Sequence, residues 1–427
     1  MYYKVTASKL QGTIKIPPSK SHTMRAILFA SLANGQSMIH NYLHSPDTEA
    51  MISACRQMGA QITVSQDLLI IVGVNGKLKT PDNIIDAGNS GQVLRFIGAI
   101  AGLTPAFTII TGDHSIRSNR PIEPLLEGLR GLGATALSSK LNGYAPIMVQ
   151  GPLLGGTTHL DGTDSQPVSG LLIAAAFAPK ESTINVNNPG EKPWIDLTLS
   201  WFDRLGIKYK HTDYKQYIIY GHSKYDGFEY HVPGDFSSCA FPLAAAIITN
   251  SCITLENLDL DDSQGDKALI NTIQAMGGLI AIDKNNKSIN THGLGNFLGQ
   301  EIDINNYIDA LPILAVLGCF AQGNTIITNA AIARKKESDR LATITQELRK
   351  MGADIEEYED SLKITCSPLT GAQVDSYNDH RIAMALTVAG LTTKHPTRVN
   401  NVECISKSYP NFLTSLHQLG AQIEVGE

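Results

Sequence analysis

Two short markers each recur six times along this 427-residue chain, and that repetition constrains its fold more than any single motif does. The first marker is a polar opening that runs into a small-residue, apolar stretch. It occurs at Ser19-Lys20-Ser21, Asn89-Ser90-Gly91, Asp164-Ser165-Gln166, Asp235-Phe236-Ser237, Asp309-Ala310 and Asn378-Asp379-His380. Counted at Lys20, Asn89, Ser165, Ser237, Asp309 and Asp379, the intervals are 69, 76, 72, 72 and 70 residues. The second marker is a Leu-Gly or Met-Gly pair that ends a helical pattern and leads into a β-like run. Its glycines, Gly59, Gly133, Gly206, Gly277, Gly352 and Gly420, are 74, 73, 71, 75 and 68 residues apart. Two independent markers on one period predict six copies of one α/β unit. The period is too long for the common solenoids, so each copy is expected to be a small package with its own strands and two helices.

A chain of this length exceeds one simple core, and six units divide evenly into two domains of three. With 43% hydrophobic and 17% charged residues the sequence reads as globular. A net charge of −6 gives no reason to expect nucleic acid as a partner. The six cysteines form no CxxC or Cys/His cluster, so no metal site is expected, and free thiols suit a reducing compartment. Apolar runs such as 310–320 are too short to span a bilayer, so neither a membrane partner nor a location outside the cytoplasm is expected.

The opening Pro17-Pro18-Ser19-Lys20-Ser21 sets the chemistry. The prolines disfavour helix before Ser19, and Ser19 or Ser21 can cap a helix carrying Met24, Ile27, Leu28 and Leu32 on one face. Such a helix end offers free N–H groups and a favourable dipole to an anion, although an ordinary capped helix explains the same residues. Residues 1–16 alternate like a strand, and Pro121 suits the first turn of a helix ending at Leu132, which would put Arg120 at another positive end. If the unit starts converge, Lys20, Arg25, Arg120, Lys336, Arg340, Arg381 and Lys407 line one anion-binding cleft. Asp309, Glu337, Asp339 and His380 are interspersed among them as candidate acids and bases. The blander readings are that Asp339 orients the neighbouring arginine, Ser237-Ser238 is an N-cap, Arg95 is structural and Cys239 is core. His380 can equally be a cap or core residue, and Gly91 can serve helix packing or close ligand approach.

Taken in order, Pro18-Ser19-Lys20-Ser21…Arg25, Gly88-Asn89-Ser90-Gly91…Arg95, Arg120-Pro121-Ile122, Ser165-Gln166, Gly234-Asp235-Phe236-Ser237-Ser238, Lys336-Glu337-Ser338-Asp339-Arg340, Asn378-Asp379-His380-Arg381 and Lys407-Ser408-Tyr409-Pro410 form a specific pattern. Over essentially its whole length the chain resembles the EPSP synthase family of enolpyruvyl transferases, and its spellings look most like those of the chlamydial members. The resemblance implies a two-domain inside-out α/β barrel of six βαβαββ units. One domain would span 17–233 and the other 1–16 plus 234–427, with the active site in the cleft between them. It implies a cytoplasmic, monomeric enzyme that moves the enolpyruvyl group of phosphoenolpyruvate to shikimate 3-phosphate and needs no cofactor.

By the same resemblance Asp309 is the base at the acceptor hydroxyl and Glu337 the proton carrier at the methylene, with Lys20 near both. Arg340 and Arg381 would hold the phosphoenolpyruvate carboxylate, and Lys20, Arg120, Gln166 and Lys407 its phosphate, with Asn89 and Gly91 alongside. Arg25 would pair with the acceptor carboxylate, Ser21, Ser165 and Lys336 would serve its phosphate and hydroxyls, and the Trp194 ring would stack on it. Asp164 and Glu191 stand where many relatives have phosphate-binding serines, with Lys192 as a replacement contact. Gln92, Phe96 and Ile332 are further departures. The sister transferase acting on UDP-N-acetylglucosamine has a cysteine in the loop matching 111–120, which this chain lacks. A non-catalytic anion receptor would have no need of Asp309 and Glu337.

Overall fold

The computed structural model describes all 427 residues. They divide into two compact units, Met1–Pro18 with Pro233–Glu427, and Ser19–Val232. Each has its own hydrophobic core. Within the first of these, Pro18 bridges to Gly234, and the Asp235 N–H donates to the Pro17 carbonyl at 2.9 Å.

Six four-stranded sheets repeat one design. In the stretch 85–150, strand Ile85–Asp86 leads to helix Gly91–Ile100, strand Thr108–Thr111, helix Glu123–Gly131 and the hairpin Thr135–Ser138/Ile147–Gln150. The first two strands are parallel and the rest pair antiparallel, which is a βαβαββ unit. The amino-terminal residues form two strands, not one. Tyr2–Thr6 pairs with Thr397–Asn400 and Gln422–Gly426, while Gln11–Lys15 runs parallel to Cys252–Glu256 in a different sheet. In the other unit the late strand Glu229–His231 runs parallel to Gln36–His40 and completes the first sheet.

The helices come in two kinds. The first helix of each repeat lies inside its unit and is covered on almost every side. All residues of Gly91–Ile100, Phe236–Ile248 and His380–Gly390 are buried. A helix with no wet face must be apolar all round, and small residues let its neighbours approach closely. Against Gly170, in helix Ser165–Ala175, a side-chain Cβ would lie 2.8 Å from the Arg95 carbonyl oxygen, so only glycine permits that helix contact. The second helices, such as Arg340–Lys350, keep a polar outer face and end at the marker glycines. All six of those glycines have φ between 67° and 110°, the left-handed conformation that ends a helix at low cost in glycine. No helix is long and apolar enough to cross a membrane.

Candidate active site

In the unit Ser19–Val232, the inner helices Lys20–Leu32, Gly91–Ile100 and Ser165–Ala175 begin at the expected polar residues, capped by Ser19, Ser90 and Asp164. Each cap accepts a first-turn N–H, which fixes the direction of the helix end. Gly91, Gln166 and Arg120 come together here. A Cβ on Gly91 would lie 3.1 Å from Gln166 Oε1 and from Arg95 Nη1, and 3.5 Å from Arg120 Nη1. A side chain here would press on the ends of these three flexible side chains, so glycine leaves them in close contact. Asp164 lies in the same group, with its carboxylate bonded to Arg95 Nη2 at 3.2 Å and to the Gln166 N–H at 3.0 Å. It is thus neutralised by a buried arginine, which also donates to the Pro121 carbonyl at 2.8 Å.

Arg120 is 4% exposed but does not sit at a helix mouth. The helix begins at Glu123, with Pro124 in its first turn, because the Ile122 N–H is taken by the Gly143 carbonyl. Pro121 and Pro124 both suit a first turn, and the sequence gives no means of choosing between them. Asn89 donates to Asp113 at 2.6 Å, and Gln92 to the Ser21 hydroxyl at 3.4 Å. The Lys20 ammonium is 3.4 Å from Asp47, an acid that sequence reading did not single out.

Arg25 is 2% exposed and hydrogen-bonds only to neutral oxygens: Thr198 Oγ1 at 3.0 and 2.9 Å, and the Ser21 and Trp194 carbonyls at 3.2 Å. Its guanidinium lies 5.0 Å over the Phe96 ring. Burial pulls its pKa down to about 9. A buried cation in this setting is poised to gain from an incoming carboxylate. Trp194 itself is half-buried. Ser165 donates its backbone N–H and its hydroxyl to Glu191, both at 3.0 Å, so a side chain of the protein already occupies this helix start. The Lys192 ammonium lies 5.6 Å over the Tyr214 ring.

In the unit Met1–Pro18 with Pro233–Glu427, the acids and cations form one tight network. Asp309 bonds Arg340 Nη1 at 2.7 Å and Arg381 Nη2 at 2.8 Å. Glu337 bonds Arg340 Nη2 and the Lys407 ammonium, both at 2.7 Å. Asp379 grips Arg340 on the remaining side, at 2.8 Å to Nε and 3.2 Å to Nη2. It also caps helix His380–Gly390 through the Arg381 N–H at 2.9 Å. Three carboxylates thus hold one guanidinium in a fixed plane. Burial alone would lower the Arg340 pKa, but Asp379, Glu337 and Asp309 outweigh it and raise it. Burial would likewise raise the Asp309 carboxyl, but Arg381, Arg340 and the buried Lys336 hold it far below the usual carboxylate range.

Several expectations change here. Asp339 does not orient Arg340; it caps helix Arg340–Lys350 and pairs with Arg334 at 3.0 and 2.8 Å. The orienting acid is Asp379, which sequence reading took only as a unit start. The shared position of Asp164, Asp235 and Asp379 directly before an inner helix signals a cap, but nothing local signals the bond to Arg340. Asp309 precedes helix Leu311–Phe320 in a 3-10 turn, Asn305–Ala310, so it is not that helix's first residue. Ser237 is not the cap of its helix, a role Asp235 fills; its hydroxyl donates to the buried Asp266. Burial, with Asp309 nearby, pushes the Asp266 carboxyl upward. His380 is buried in the first turn of its helix, with Nδ1 3.7 Å from Asp379. Cys239 is in the core.

Comparison with known proteins identifies the family of the chain. Residues 5–416 match the family EPSP synthase (3-phosphoshikimate 1-carboxyvinyltransferase). The chain is 41% identical over 427 residues to the 3-phosphoshikimate 1-carboxyvinyltransferase of Acetivibrio thermocellus, covering 100% of both. It is 45% identical over 424 residues to that of Chlamydia pneumoniae, covering 99% of this chain and 94% of the relative. Among solved structures, an EPSP synthase from Acinetobacter baumannii superposes with a TM-score of 0.84 at 27% identity, covering all of both chains. The six-repeat architecture and the matched length place this chain in the EPSP synthase (3-phosphoshikimate 1-carboxyvinyltransferase) family.

Proposed function

We propose that this protein transfers the enolpyruvyl group of phosphoenolpyruvate to the 5-hydroxyl of shikimate 3-phosphate and releases phosphate. The observation that carries the reading is the network in which Asp309 and Glu337 share Arg340 and divide Arg381 and Lys407 between them. An anion receptor gains nothing from two carboxylates placed on its own cations, whereas a proton-transfer enzyme needs such groups next to the bound anion.

In the reaction, a proton added to the phosphoenolpyruvate methylene makes a cationic carbon. The acceptor hydroxyl attacks that carbon as it loses its own proton. The tetrahedral adduct then loses phosphate, and a methyl proton leaves to restore the double bond. Glu337 carries the proton at the methylene, Asp309 takes the hydroxyl proton, and Lys20 assists both transfers. Arg340 and Arg381 hold the phosphoenolpyruvate carboxylate. Lys20, Arg120, Gln166 and Lys407 hold its phosphate, with Asn89 and Gly91 beside it. Arg25, Ser21, Lys336 and the Trp194 ring hold the acceptor, and Ser165 joins them when Glu191 releases its hydroxyl.

The electrostatics suggest how binding arms the acids. In the free protein the arginines keep Asp309 ionised and weakly basic. A ligand carboxylate drawn to Arg340 and Arg381 shares their charge and adds its own, which raises the proton affinity of Asp309 and Glu337. The cations then fix geometry and stabilise charge as phosphate departs. We assign the reaction to the cytoplasm and to a monomer. The deciding experiment measures phosphate release from phosphoenolpyruvate with shikimate 3-phosphate, with shikimate and with UDP-N-acetylglucosamine. Release with shikimate 3-phosphate alone is expected; release with either alternative, or with none from folded protein, overturns the proposal.

A further inference from the structure

We propose that His40, Glu229 and His231 form a surface site for a divalent transition-metal cation of the zinc type, separate from the catalytic residues. Strand Glu229–His231 runs parallel to Gln36–His40 with His231 opposite His40 and Glu229 opposite Met38. Side chains alternate across a strand, so residues 229 and 231 share one face with 38 and 40, while Tyr230 and Ile39 point into the core at 7% and 0% exposure. The two imidazoles are stacked face to face, with centroids 4.3 Å apart and planes 9° from parallel. Both Nε2 atoms approach the same oxygen of Glu229, His40 at 2.8 Å and His231 at 3.8 Å. One ligand atom from each of the three residues fits within 4.8 Å of the others.

Those separations suit a metal. Four ligands about 2.0–2.1 Å from a tetrahedral zinc ion lie roughly 3.4 Å from one another, between the two distances seen here. Closing the set takes small side-chain shifts and a rotation of one imidazole out of the stack, so that both Nε2 lone pairs point at one ion. His231 and Glu229 can make them freely, because their side chains are 73% and 55% exposed. Two imidazoles and one carboxylate leave a fourth position for water. Two nitrogen ligands favour zinc, nickel or copper and disfavour calcium and magnesium, which take oxygen. The strand the ion would secure is three residues long and lies at the edge of its sheet, directly before the chain leaves this unit at Val232. A bound ion would therefore fasten the last strand of the unit to the first. No short motif advertises the site, because His40 lies 189 residues before Glu229 in the sequence.

The test is a calorimetric titration of the full chain with zinc chloride, paired with thermal unfolding with and without zinc. Wild-type protein should bind one ion with Kd below about 100 μM and unfold at a higher temperature when it is present. His231→Ala should weaken binding at least tenfold and abolish the thermal shift, and Glu229→Gln should weaken it in the same direction. Phosphate release in both variants should equal wild type without zinc. Weaker wild-type binding, or less than a tenfold loss in His231→Ala, would show that the three residues are only a histidine–carboxylate pair with stacked rings and that any zinc binds elsewhere, for instance at the exposed Cys252 or Cys366.

Discussion

Replacing Asp379 with asparagine tests whether the carboxylate network is a structural unit. Asp379 is wholly buried, receives two hydrogen bonds from Arg340 and one from Ser338, and caps the helix carrying Arg381. Asparagine keeps one oxygen, enough for the cap, but turns an N–H group toward the guanidinium and removes the charge that offsets it. Breaking a buried ion pair from one side costs about 3–5 kcal/mol. Arg340 keeps Asp309 and Glu337 as partners, so the low end, about 3 kcal/mol, is expected. For a unit of roughly 200 residues that corresponds to a fall in Tm of about 6–12 °C. Asp339→Asn is the control, because Asp339 is 41% exposed at its side chain and pairs with a surface arginine. Asparagine caps as well as aspartate, so that change should cost less than about 1 kcal/mol. Thermal and urea unfolding followed by circular dichroism would measure both. An equal or larger effect from Asp339→Asn would refute the assignment of Asp379 as the acid that holds Arg340.

Three further outcomes are expected. Glu337→Gln should retain substrate binding but lower kcat on the order of 10²-fold or more, and near-normal turnover in a steady-state assay would remove Glu337 from the proton path. Arg120→Ala should chiefly weaken phosphoenolpyruvate binding, and an unchanged Kd by fluorescence titration would count against its placement beside Gly91 and Gln166. The Asp309 pKa is depressed by folding, so its contribution to stability is present above the unfolded carboxylate pKa and is lost as pH falls below about 4 toward the lower folded value. Wild type should therefore lose urea resistance between about pH 4 and 3 more steeply than Asp309→Asn, and parallel curves would contradict the hold of Arg381 and Arg340 on this carboxylate.

Some of the molecule was legible without coordinates because its signals are local. A helix start needs a cap and a helix stop needs a residue tolerant of positive φ, so the six polar openings and six marker glycines gave the repeat and its period. The cations of the candidate site were legible for the same reason, since they stand at those openings. What each side chain touches was not legible. Asp379 and Asp339 both precede arginines at helix starts, yet only the first holds Arg340, because the bond crosses between two helices 39 residues apart in the chain. Asp164 and Glu191 looked like intruders beside a phosphate site, and only packing showed that one lies on buried Arg95 and the other on the Ser165 helix start.

The sequence by itself determined that six α/β units exist, where each unit opens and where its second helix ends, and which ionisable groups stand near those openings. Caps, glycines and apolar periodicity act over three to seven residues, so a linear reading captures them. Only the tertiary structure decided how the sheets close, with Gln11–Lys15 and Glu229–His231 each completing a sheet begun far away in the chain, and which carboxylate neutralises which cation. Those choices depend on distances between residues that are remote in sequence, and an ion pair's energy depends on separation and burial, neither of which a linear order of residues encodes.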